Sequence, residues 1–366
     1  MKMTVKILSL LLILPSLLLL INACGQEEKG PSKEELVKLD SVRRDSSISL
    51  VSLNKQIAAN PDDYGLYQDR SELYFGMDSL EKAVVDINKA IELYRNGPDL
   101  YFWKGFLTFI LNDTVEARKA FEIAEGLGSQ NPEVYYQLGQ IYFFQKRYED
   151  ALRQYKEAAE YQPDNPIYVF AQGFLEEERK RYKEATLHYL NSLKVDPAFD
   201  KSLLRLHDIY LNHYENELEA LKYNKSLLDA NLGHPLANYN EGNYQLRRAM
   251  RFRNGGDLNG FGEGLNNAIA NFTIAVNNDE NFALAHYARG MAYFEGGQRM
   301  DAAIEDFQKT IEINPNLAQA HFMLGSIFEG NGDLSTALGY FKEAARLKPD
   351  GSGFQKAVQE VSAQLK

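Results

Sequence analysis

Between Pro132 and Asn165 the apolar residues fall three and four apart in two runs, Tyr135, Leu138, Gly139 and Tyr142, then Ala151, Tyr155 and Ala158. That spacing places each run on one face of an α-helix. A tight break near Gln145 to Tyr148 separates the two helices, and Pro163, which lacks an amide hydrogen, stops the second. A glycine inside a helix costs roughly 1 kcal/mol relative to alanine, so Gly139 needs a packing reason. Set against Ala151, it lets two helices approach to about 8–10 Å. Versions of this hairpin pattern recur on both sides at a spacing of about 34 residues, so the chain reads as a solenoid of stacked helix pairs rather than one globular core.

Leu138, Gly139, Tyr142, Ala151, Tyr155, Ala158 and Pro163 resemble the signature of the tetratricopeptide repeat (TPR) family, which carries this pattern at repeat positions 7, 8, 11, 20, 24, 27 and 32. The resemblance extends in phase over residues 64–350 as about eight repeats, beginning at Tyr64, Pro98, Pro132, Pro166, Asp200, Pro235, Ala283 and Ala318. Ser71 and His207 replace the glycine in two of them, and the helix pair around His207 is expected to sit less tightly. Residues 48–63 read as a degenerate N-terminal half repeat and residues 351–366 as a C-terminal capping helix with Phe354, Val358 and Val361 inward. The resemblance implies an all-α TPR solenoid, a right-handed superhelix of antiparallel helix pairs.

The start of the chain follows another pattern. Lys2 and Lys6 precede an apolar run from Ile7 to Ile21, short for a membrane span and suited to the core of a signal peptide over residues 1–23. An uncleaved N-terminal anchor is the alternative. Ile21-Asn22-Ala23-Cys24 resembles the bacterial lipobox, whose cysteine is lipidated, and Cys24 is the single cysteine of the sequence, so an intramolecular disulfide is impossible. Residues 24–47 form an acidic tether, and their short run Glu27-Glu28 resembles the lipoprotein export signals of Bacteroidetes. The expected location is the cell envelope, as an outer-membrane lipoprotein facing the periplasm or the cell surface, held to the membrane through lipid on Cys24.

Charge narrows the partners. The full sequence has a net charge of −11, and removal of residues 1–23 takes away Lys2 and Lys6 and no acid, leaving −13. Nucleic acid and anionic lipid surfaces are recognised by clustered Lys and Arg, so neither suits this body. The six histidines are dispersed. His207 and His213 lack the spacing of a helical metal pair, and His286 and His321 stand at a packing position of adjacent repeats, where satisfied core histidines are the favoured reading. The glycines from Gly255 to Gly264 are not followed by Lys and Ser/Thr, which argues against a phosphate loop. We find no catalytic motif, metal site or cofactor site, and no small-molecule substrate is expected.

Three candidate features depart from the repeat. Near residues 247–264 an insertion carries Arg247, Arg248, Arg251 and Arg253 on an extended helix, followed by a glycine-rich loop with Phe261. It reads either as a longer helix pair with an exposed tip or as a basic contact element. The resemblance places positions 2, 5, 9, 12 and 13 of each first helix on the concave surface. Phe102, Phe106, Phe109, Tyr136, Phe143, Phe170, Phe174, Tyr239, Tyr287, Met291 and Phe294 stand there, forming either a peptide-binding stripe or extra core. Ser41, Ser79 and Thr114 follow Asp and precede an aliphatic residue, as in the O-glycosylation motif of Bacteroidetes, although helix capping explains Ser79 and Thr114 equally well. The expected function is a non-enzymatic scaffold that binds protein or peptide segments for an envelope assembly such as secretion, pilus or cell-wall machinery. A regulator or adaptor of a single envelope enzyme is the alternative, and an enzyme with a site in the insertion is a third, weaker reading.

Overall fold

The computed structural model describes residues 50–297 and 299–365. Cys24, Ser41 and the segments expected to form a signal peptide (1–23) and a tether (24–47) lie outside the described residues. The chain divides into two compact units, the first ending at Asp196 and the second beginning at Pro197. In the first, a helical stretch over residues 50–59 precedes four helix pairs: α1 (Tyr64–Gly76) with α2 (Leu80–Leu93), α3 (Pro98–Ile110) with α4 (Thr114–Gly126), α5 (Pro132–Phe144) with α6 (Tyr148–Tyr161), and α7 (Pro166–Glu178) with α8 (Tyr182–Val195). The second holds α9 (Asp200–Asn212) with α10 (Glu217–Ala230), α11 (Pro235–Asn254) with α12 (Leu258–Asn278), α13 (Ala283–Gly296) with α14 (Met300–Ile313), α15 (Ala318–Gly330) with α16 (Leu334–Leu347), and a closing helix α17 (Ser352–Gln364). No strand occurs among the described residues. Each unit is an all-α stack of helix hairpins, the fold class expected.

Helix starts follow from local chemistry. Proline occupies the first turn of α3, α5, α7 and α11, where its missing N–H would have had no partner. Asn131 and Asn165 accept from the amides of Glu133 and Ile167, and Asp113, Asn216, Asp257 and Asp333 cap the second helices of their pairs. Each hairpin is turned by one residue at positive φ: Asp78, Asn112, Lys146, Lys180 and Glu215, then Gly256, Gly297 and Gly332. A left-handed conformation costs a residue with a Cβ about 1–2 kcal/mol, and the helix pairing supplies it.

The pairing contact is a glycine against a ring. A Cβ added at Gly105, Gly139 or Gly173 in the first unit, or at Gly242, Gly290 or Gly325 in the second, would lie 2.5–2.9 Å from a ring carbon of Phe121, Tyr155, Tyr189, Phe272, Phe307 or Phe341 respectively. Where the glycine is absent, so is the ring. Ser71 stands opposite Ile87 in register and donates through Oγ to the Ala83 carbonyl at 2.7 Å while accepting from Trp103 Nε1 at 3.0 Å. His207 corresponds to Asn224, which is buried and donates to the Ala237 carbonyl at 3.1 Å.

The insertion differs from its expected form. Residues 258–264 belong to α12, so α11 and α12 run as helices of 20 and 21 residues around a short turn at Gly255 to Asp257. The glycines act as spacers rather than as flexible links. A Cβ at Gly264 would meet Ala249 Cβ at 2.8 Å, and one at Gly260 would meet the Phe252 ring at 2.8 Å. Residues four apart share a helix face, so this pair lets α12 lie close on α11.

Candidate functional site

The aromatic stripe divides between the two units. In the first, Phe102, Phe106 and Phe109 of α3, Tyr136 of α5, and Phe170 and Phe174 of α7 are only 1–9% exposed. Phe106 packs on Phe75 and Trp103 with ring centres 5.6 and 5.3 Å away, and Phe102 lies 6.2 Å from Phe121. Tyr136 sits 5.8 Å from Tyr155 and 5.4 Å from Tyr168, its hydroxyl accepting from Gln140 Nε2 at 2.7 Å. Burial pushes that phenol well above its ordinary range. Phe170 lies 5.3 Å from Tyr189, and Phe143, half-buried, lies 5.6 Å from Phe174. The six buried rings are core, which corrects the expectation that they line a ligand groove. Rings of this size on a first helix reach those of its own second helix and of the next first helix, and so cover one another.

The second unit keeps such residues at the surface. Tyr239, Tyr287, Met291 and Phe294 are half-buried. Tyr239 is backed by Phe272 and Phe282 at 6.1 and 5.0 Å, and Tyr287 by Phe307 at 5.6 Å. Tyr239 and Leu246 of α11 pack beside Ala288 and Ala292 of α13, while Tyr287, Met291 and Phe294 join one cluster with Met323 and Phe328 of α15. The sequence reading did not single out Leu284, which is 45% exposed one turn before Tyr287 and was detectable at repeat position 2. Asn243, half-buried one turn after Tyr239, makes no side-chain hydrogen bond among the described residues. This face offers anchored, partly wet rings beside an amide free to donate and accept, a combination suited to a polypeptide segment.

The arginines of the extended hairpin are less available than expected. Arg247 and Arg251 both bind Glu217 of α10, at 3.0 and 2.8 Å, and Arg253 binds Glu295 of α13. Burial pushes the Glu217 carboxyl up, but the hydrogen bonds from Arg251 and Arg247 outweigh it and hold the group below the usual range. Arg248 lies over the Phe252 ring at 5.3 Å, and Arg253 over Phe261 at 5.3 Å. These partners largely neutralise the basic element that the sequence suggested.

Two ion pairs escaped the sequence reading. Arg70 grips Asp86 through Nε at 2.6 Å and Nη2 at 2.7 Å, and Arg289 grips Asp306 at 2.8 Å through the same two atoms. Both aspartates are buried. Both arginines occupy the register position filled by Leu138 in the opening repeat, and a charged residue at an apolar position was the available signal. His286 and His321 are buried and each bonds a backbone carbonyl six residues upstream, as core side chains do. At the glycosylation motif, Asp113 rather than Thr114 caps α4, and Thr114 is exposed; Ser79 is half-buried and makes no side-chain cap bond. Among the described residues, no three His, Cys, Asp or Glu side chains are grouped to hold a metal ion. No helix there is long and apolar enough to cross a membrane.

Comparison with known proteins agrees with the helix register. Tetratricopeptide repeat models match residues 64–96, 132–165, 263–318 and 314–352. The chain is 37% identical over 65 residues to the tetratricopeptide repeat and J domain-containing co-chaperone DNJ1 of Cryptococcus neoformans, a match covering 18% of this chain and 12% of that protein. Among solved structures it is similar to YrrB, described as a TPR protein with an unusual peptide-binding site, at 24% identity and a TM-score of 0.44, over 50% of this chain and 95% of that one. It is also similar to a tetratricopeptide repeat protein of Parabacteroides merdae, at 17% identity and a TM-score of 0.47, over 72% of this chain and 98% of that one. With hairpins of one register in both units and family models matching in each, the chain belongs to the tetratricopeptide repeat family.

Proposed function

We propose that this protein is a lipid-anchored scaffold of the cell envelope that holds protein segments on the α11, α13 and α15 face of its second unit. Its repeats make it a protein–protein interaction scaffold, and the family and fold are typically non-catalytic. The observation that carries the placement is the half-exposed set Tyr239, Tyr287, Met291 and Phe294, standing where the first unit buries its rings. The anchor rests on the sequence alone: Lys2, the apolar run to Ile21, and Cys24. Two or three acyl chains on that cysteine would hold the protein at the outer membrane, since one chain gives only marginal binding. The net charge of −13 after loss of residues 1–23 favours basic protein segments over nucleic acid.

The test is affinity capture from envelopes of cells making the full-length chain. Wild type is expected to remain with the membrane fraction and to recover protein partners. Tyr287→Ser with Met291→Ser is expected to lose at least about tenfold of the recovered partner while keeping its helical circular dichroism. Undiminished capture by that variant would move the binding surface elsewhere, and membrane retention of a processed Cys24→Ala chain would remove the lipid anchor.

A further inference from the structure

Four Asn-Gly steps occur in the sequence, at Asn96, Asn254, Asn259 and Asn331. At such a step the glycine nitrogen can attack the asparagine side chain, because glycine has no Cβ to hinder the approach. Three of the four are held in helical backbone with the glycine amide already engaged. Asn254 ends α11, and Gly255 donates to the Arg251 carbonyl at 3.0 Å. Asn259 lies in the first turn of α12, and Gly260 donates to Asp257 Oδ1 at 2.9 Å. Asn331 caps α15 with φ −83° and ψ −2°, and Gly332 donates to the Glu329 carbonyl at 3.0 Å. Asn96 is different. It lies exposed in the turn between α2 and α3, and the Gly97 amide makes no hydrogen bond among the described residues. The Tyr94 ring lies against Gly97, 3.0 Å from where a Cβ would stand, and that ring is itself 42% exposed.

We propose that Asn96 is the deamidation site of the folded chain, the turn before α3 leaving the Gly97 nitrogen free to react. Hydroxide takes the Gly97 amide proton, and the nitrogen forms a bond to Asn96 Cγ. The Cγ–Nδ2 bond breaks, and the nitrogen leaves as ammonia with a proton from water. A five-membered succinimide remains, and water opens it at either carbonyl, giving aspartate or isoaspartate. The only co-reactant is water. At the other three steps the same attack must first break a hydrogen bond and unwind a helix end. The two products differ in their effect on the repeat. Asp164 already fills the register position of Asn96 in the opening repeat, and a carboxylate beside the start of α3 is favoured by the helix dipole, so aspartate fits. Isoaspartate carries the main chain through Cβ and Cγ and lengthens a turn that joins two hairpins across the stacked Tyr64 and Tyr94 rings, 4.8 Å apart.

The test is ageing of the purified full-length chain in mildly alkaline buffer, with and without denaturing urea, followed by peptide mapping of the four steps by mass spectrometry. In the native chain Asn96 is expected to convert at least about tenfold faster than Asn254, Asn259 or Asn331, each of which waits for local unfolding. In urea the four rates should converge, because all four steps have the same two residues. Asn96→Gln, whose longer side chain would have to close a six-membered ring, should remove most of the isoaspartate formed by the native chain while keeping its helical circular dichroism. Conversion at Asn96 no faster than at the other three in the native chain would overturn the proposal. Undiminished native-state isoaspartate in Asn96→Gln would overturn it too.

Discussion

Replacing Gly139 with valine is expected to destabilise the α5 and α6 hairpin by about 2–3 kcal/mol, because the new Cβ would stand 2.5 Å from Tyr155 Cδ1 and Cε1. Removing a helical glycine returns at most about 1 kcal/mol of backbone entropy, less for a β-branched residue, so the overlap decides the sign. The ring cannot swing aside, since Tyr155 is 2% exposed and Tyr136 lies 5.8 Å from it. The first repeat suggests the remedy. There serine and isoleucine occupy the two positions, so Gly139→Ser combined with Tyr155→Ile is expected to be more stable than the two single losses added together, with a coupling of about 1–2 kcal/mol. Urea unfolding of the four chains of that cycle, followed by circular dichroism, measures it. Strict additivity would mean that glycine and ring are not a packing unit.

Asp306→Ala is expected to cost more, about 3–5 kcal/mol, because it leaves Arg289 and His286 facing an empty place in the core between α13 and α14. Arg289→Met with Asp306→Leu removes both sides of the Arg–Asp pair and should lie much closer to wild type, since a buried ion pair is often matched by apolar residues of similar volume. Burial raises the Asp306 carboxyl, but hydrogen bonds from His286 and Arg289 outweigh it and hold the group below its ordinary range. Its contribution is therefore fully present above the unfolded carboxylate value near about pH 3.9 and fades as pH falls through the lower folded value. An acid titration of the wild-type chain and the Asp306→Ala variant should show this loss in wild type alone.

The repeat was legible because its information is local. Leu138, Gly139, Ala151 and Tyr155 specify one hairpin by period and size, and the same choices recur in phase. The candidate site was less legible because register gives the face of a helix and not what covers it. Phe106 and Met291 hold the same repeat position; Trp103 and Phe75 close over the first, whereas the second stays half-exposed at the edge of its cluster. Glycine was ambiguous in the same way. At Gly256 it supplies a positive φ, while at Gly264 it permits contact with Ala249, and composition alone does not separate these uses. Arg289 and Asp306 lie 17 residues apart, so their pairing follows only once the hairpin is closed.

The most direct measurement of the functional reading is site-specific photocrosslinking in intact cells, with a benzoylphenylalanine placed at Tyr287 and, separately, at Leu218, which is 74% exposed on α10. The α11, α13 and α15 face predicts a discrete crosslinked protein from position 287 and none from position 218. Crosslinks from Leu218 alone, or equally from both, would contradict it.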